Sequence, residues 1–297
     1  MTLRYLERAA PVLAAIGAYV LLEGIDIGAE PEATPDDRLA VWELVMTASV
    51  VAWTVLAGVG ARMLRDPEAV TGVMSWRRVV GSAKGYFAAV YGAVAFALVF
   101  MGLTGVGNPT ILTGQQWKNV VLHLVGAVAI LPLLVVVKQI HAQAQDPGSW
   151  SPTAVSIARI GAMRRSLHVA TAAVGAIIAL AVIGTGALRD AVASAGLEPL
   201  PDTFVLVYGA WYTGVLAAIY LHAFGAVEHR ARRIVDDAAP LRDPTGESAD
   251  AFSASVALRT TLGQELGLGG DARKNLEGLV VVMSPLIGAI LTRLGGL

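Results

Sequence analysis

The chain of 297 residues has no cysteine. That excludes a disulfide framework, a thiolate nucleophile, a zinc knuckle, a CXXC redox pair and a prenyl anchor. Charge is scarce too: Asp, Glu, Lys and Arg make up 15% of the residues, against about 25% in a soluble domain. Lys numbers only four, against eighteen Arg. The net charge of -1 gives no general attraction for nucleic acid. Phosphate-loop (GXXXXGK[ST]), dinucleotide (GXGXXG after a strand) and HEXXH patterns are missing as well. The residues show no nucleophile–base pair and no metal-ligand cluster, so catalytic and metal residues are none and an enzyme is the less favoured class.

What remains is apolar. Hydrophobic residues, with Gly left out of the count, reach 55%, there are 32 Gly besides, and mean hydropathy is +0.62. An excess of that size means the solvent of the folded chain is largely lipid. A bilayer core about 30 Å thick needs roughly 20 apolar residues per helix. Six stretches qualify: 9–27, 39–61, 85–106, 117–137, 167–188 and 203–227. A shorter seventh, 279–291, carries Pro285. Arg4 and Arg8 before the first stretch mimic a secretory signal, yet small residues at a cleavage site are missing, so it reads as a retained helix.

The fold class is therefore all-α: a polytopic membrane helical bundle of six transmembrane helices plus a short seventh. Three divisions follow, a six-helix bundle over 1–229, a cytoplasmic linker with a short amphipathic helix over 230–276, and a C-terminal membrane helix over 277–297. With the amino end inside, eighteen of the 22 basic residues fall on the inner side, leaving Arg38, Lys118, Arg189 and Arg293 outside. This is the positive-inside pattern, and it places the chain in the inner cell membrane with a cytoplasmic N-terminus.

The spans also suggest three tandem two-helix hairpins. Arg77-Arg78 before Ser82 and Ala88-Ala89-Val90 matches Arg164-Arg165 before Ser166 and Ala172-Ala173-Val174. Gly126 and His141 in one partner helix match Gly214 and His229 in the other. Small residues at helix-packing spacing, Gly81 with Gly85, Ala172 with Ala176 and Ala210 with Gly214, point to close helix contacts. Pro132 predicts a kink. In the tail, Pro240, Pro244 and Gly246 mark a linker after Arg230, and Leu258, Leu262 and Leu266 form a stripe at i, i+4, i+8.

Ionisable residues within spans need a reason to be there. Glu23 and Asp26 lie one turn apart on the first span, and Glu43 near the start of the second shares their outer end. Three carboxylates at one mouth attract cations, which supports a channel or transporter for a cation or small solute. Headgroup water with Arg38 as counter-ion is the plainer account of the same residues. Of the five histidines, only His168 and His222 approach the depth match that haem b ligation on facing helices requires. His141 and His229 read as solvated inner-end residues, and His123 has no partner at its depth. Three readings stay open: transport through Glu23, Asp26 and Glu43, haem-based redox at His168 and His222, or a non-catalytic signalling or interaction role through the tail. Expected partners are the lipid bilayer, a second copy of the chain and a cytosolic protein on the tail, with no nucleic acid.

Overall fold

The computed structural model describes residues 37–65, 109–146, 154–194, 196, 202–240, 249–268 and 272–295, with isolated helical positions at 16–17 and between 81 and 92. Among these residues the fold is entirely helical. Six helices follow in order: α1 Asp37–Arg65, α2 Pro109–Gln145, α3 Ala154–Ser194, α4 Asp202–Ala238, α5 Ala249–Glu265 and α6 Ala272–Gly295. Four segments, Arg38–Leu64, Val121–Gln145, Ala154–Ser194 and Thr203–Ala238, are long and apolar enough to cross a membrane. The expected seventh span is the shorter apolar part of α6, Leu279–Arg293. The expected first and third spans, 9–27 and 85–106, lie almost entirely outside the described residues.

Three helices outrun their apolar stretches. The 41 residues of α3 rise about 60 Å at 1.5 Å each, twice the hydrocarbon thickness. The extra turns are the polar segments KQIHAQAQ, IARIGAMRRS and EHRARRIVDDA. They are rich in Ala, Arg and Gln, which hold a helix well in water. Charge ended the apolar windows at 137, 167 and 227, but it does not end a helix. The stretch from Arg230 to Ala238, expected as linker, is therefore the last two turns of α4.

α3 is the axis of the bundle and touches α1, α2, α4 and α6, while α6 lies against both α3 and α4. α1 buries Trp42, Met46 and Trp53, all with 0% exposure, on one stripe. Trp53 Nε1 donates to the Ile177 carbonyl on α3 at 3.1 Å. Its ring rests on Gly126 of α2, where an added Cβ would lie 3.2 Å from the ring. Gly184 of α3 makes the same kind of room for the Met46 side chain.

α6 occupies a glycine seam. A Cβ on Gly209 of α4 would come within 2.7 Å of Ala289 Cβ and 2.9 Å of the Pro285 carbonyl. On α6 itself, a Cβ on Gly288 would reach the Ala179 carbonyl at 3.2 Å. Pro285 has no N–H to offer the Val281 carbonyl, and the Ser284 hydroxyl donates to that oxygen at 2.8 Å instead. Such backbone approach replaces the hydrophobic drive that helices lack in lipid.

The glycines in these seams were not among the pairs expected from spacing. Ala210 and Gly214 are both exposed, and open space surrounds Gly214. The proposed hairpin equivalence also joins unlike environments. Gly126 lies under Trp53 whereas its counterpart Gly214 faces outward, and His141 is buried whereas His229 is exposed.

Candidate functional site

α1, α2 and α4 run parallel, so their carboxyl ends meet the amino end of α3 at one end of the bundle. Lys138, Arg159, Arg164, Arg165, Arg230, Arg232 and Arg233 collect there. A helix carboxyl end exposes unpaired carbonyls and a partial negative charge, which a cation can satisfy from outside the helix. Three arginines at this basic end do so for neighbouring helices.

Arg230 of α4 is 7% exposed. Its Nε donates to the Ala144 carbonyl at 2.8 Å and its Nη2 to the Asp146 carbonyl, closing α2. Arg259 of α5 donates through Nη1 to the Ala239 carbonyl at 3.3 Å, just past α4, and through Nη2 to the Asp236 carboxylate at 2.5 Å. Arg164 of α3 donates through Nη1 to the Leu266 carbonyl, just past α5, and through Nη2 to Glu228 of α4. Every one of these ties crosses between elements. Together they bind α2, α3, α4 and α5 into one head.

The ties made by Arg164 and Arg259 fall in the carboxyl half of the tail helix and just past its end. Along the expected leucine stripe Leu266 is buried, Leu262 half-buried and Leu258 exposed. Farther toward its amino end, Phe252 and Val256 are also exposed. The stripe thus leaves the bundle as it is followed backward from Leu266. Helical periodicity does not say where a partner stops.

Glu23 and Asp26 lie outside the described residues. Glu43, on the second turn of α1, is half-buried beside Trp42 and is engaged by a neighbour. His168 is half-buried on α3, and His222 is exposed on α4. The ring that His222 meets is that of His141, stacked at 4.3 Å between centroids and 23° between planes. His141, expected at a solvated end, is 4% exposed, because α2 continues past it and α4 covers it. His123 lies 3.3 Å from the Thr185 hydroxyl, linking α2 to α3. Among the described residues no group of three or more His, Cys, Asp or Glu could hold a metal ion.

The arrangement holds α5 against the basic end of the bundle. No family model matches the chain, and no curated protein or solved structure matches it.

Proposed function

We propose that this integral membrane protein is a non-catalytic interaction protein that presents helix α5 to a protein partner on the cytoplasmic side. The observation that carries the reading is the exposed apolar face of α5 beyond the arginine ties. Its carboxyl end is tied by Arg164 and Arg259, while Phe252, Val256 and Leu258 stay 36%, 40% and 47% exposed. An exposed apolar helix face at a fixed position suits insertion into a groove on another protein. A membrane surface is the poorer partner. Interfacial helices carry Lys and Arg along the polar face, and the only basic residue in the 17 of α5 is Arg259, already paired with Asp236. The cytoplasmic assignment rests on the distribution of basic residues.

The test places a photo-crosslinking residue at Phe252 of the full chain in its native membrane. The expected result is an adduct with one defined protein, lost when Val256 and Leu258 are both changed to Ser and retained with Val207→Ser. Lipid-only adducts, or an adduct indifferent to the double change, overturn the reading.

Transport of a cation or small solute through an acidic mouth is the second reading. Its support is Glu43, whose half-buried carboxylate on α1 is engaged by a neighbour. Haem ligation by His168 and His222 has less support, since His222 stacks face to face on His141.

A further inference from the structure

Helix α5 ends in a defined corner. Gly267, just past its end, has φ +64°, a left-handed conformation that glycine adopts freely and other residues enter at a cost. The Gly267 N–H donates to the Gln264 carbonyl at 2.9 Å, and the Leu268 N–H reaches back to the Gly263 carbonyl at 2.7 Å. These are the two bonds that close a helix around a left-handed residue.

Apolar side chains hold the same corner. Positions 262 and 268 commonly meet across such a closure; both are leucine here, and both pack against the buried core. Leu266 lies between them at 2% exposure, and its carbonyl accepts from Arg164. Turning α5 to another direction would change the Gly267 dihedral, break both closing bonds and draw Leu266 out of the core. The corner is a lock, not a swivel. It also bears on the helix itself. The 17 residues of α5, with Ser253, Ser255, Thr260, Thr261 and Gly263 among them, make a marginal helix without tertiary support.

We infer that Gly267 is the positioning residue of the α5 surface, fixing one direction for the helix so that a protein partner receives it already formed. The inference rests on the interaction role proposed for α5. It adds the kind of partner: a groove built for a helix, in place of a surface on which a loose segment folds. Presenting Phe252, Val256 and Leu258 on an ordered helix removes the ordering cost that a folding segment meets on contact. The corner requires glycine at 267 and not at 263, where an added Cβ meets open space.

The chain has no cysteine, so spin labels at Phe252→Cys and Gly214→Cys report the direction of α5 by pulsed electron resonance on the full chain in nanodiscs. One narrow distance is expected, and a broad distribution overturns the inference. Hydrogen exchange over 249–268 then compares three variants. Gly267→Val should raise exchange roughly 5- to 30-fold, the cost of a left-handed residue that carries a Cβ. Gly267→Asn, whose side chain tolerates that conformation, should raise it far less, and Gly263→Ala not at all. Equal exchange in the two position-267 variants overturns the role of Gly267. In native membranes, the adduct from a photo-crosslinking residue at Phe252 should weaken with Gly267→Val and persist with Gly267→Asn. An adduct indifferent to Gly267→Val means that the partner folds α5 on contact, which overturns the inference. Absence of any adduct with Gly267 in place refutes the interaction role itself. That failure is separate from a failure of the corner, which the distance and exchange measurements read without a partner.

Discussion

Replacing Arg164 with Gln should release the tail helix while leaving the bundle intact. The side chain makes one bond that fastens α5, to the Leu266 carbonyl, and a second to Glu228 of α4 that holds the guanidinium in place. A fully exposed ion pair would be worth less than about 1 kcal/mol. Here the two side chains are only 21% and 19% exposed, so the range for a bond to a charged group, about 1.5–3 kcal/mol, is the better guide. Taking about 2–3 kcal/mol after allowing for partial solvent access, the ratio of docked to undocked α5 falls by roughly 30- to 150-fold. Arg259 with Asp236 remains, but those side chains are 35% and 54% exposed and hold only weakly.

Hydrogen exchange reads this directly, because local opening and global unfolding separate by region. Amides of 249–268 should exchange faster by about that factor, with α1 and the middle of α3 unchanged. Glu228→Gln should show a smaller effect on the same amides, since the Leu266 bond survives. If exchange in 249–268 is unaltered in Arg164→Gln, the tie does not hold the helix. If exchange rises uniformly, Arg164 supports the whole fold rather than the docking of α5.

Two further outcomes discriminate between readings. Gly209→Leu should destabilise the bundle by about 1–3 kcal/mol through overpacking against α6, whereas Gly214→Leu should stay within about 0.5 kcal/mol; thermal unfolding in detergent that reverses this order would refute the seam. Neutralising Glu23 and Glu43 together should abolish cation flux into proteoliposomes under the transport reading, and flux equal to the unaltered protein would remove the acidic mouth.

Much of the architecture was legible because it depends on composition averaged over a window. Twenty apolar residues in a row specify a helix that lipid surrounds, whatever its neighbours. Helices α1 to α4 each contain the expected stretch. Their ends were not legible by the same means. A hydropathy window stops at Lys138 or Arg230, while the backbone continues for as long as Ala, Gln and Arg favour it. His141 was misplaced for the same reason: two more turns of α2, covered by α4, turn a nominal loop position into a buried one.

Contacts between helices are a different kind of information. Ala210 and Gly214 have the spacing of a packing pair, as Gly184 does not. Yet Gly184 lies against Met46 and Gly214 against nothing, because spacing describes one helix and a contact needs two. The arginines make the same point with charge. Counting them identifies one end of the bundle, since their number on each side is a property of the chain. Their work there depends on which carboxyl end each one faces. Nothing in the sequence around Arg164, Arg230 or Arg259 names the helix each one closes, and they close three different helices. A basic residue near a membrane boundary is therefore better read as an unassigned helix cap than as a topological signal alone. The exposed Arg232 and Arg233, one turn from Asp236, are the positions where the two readings can be separated by substitution: a topological signal tolerates Lys at either, and a cap does not.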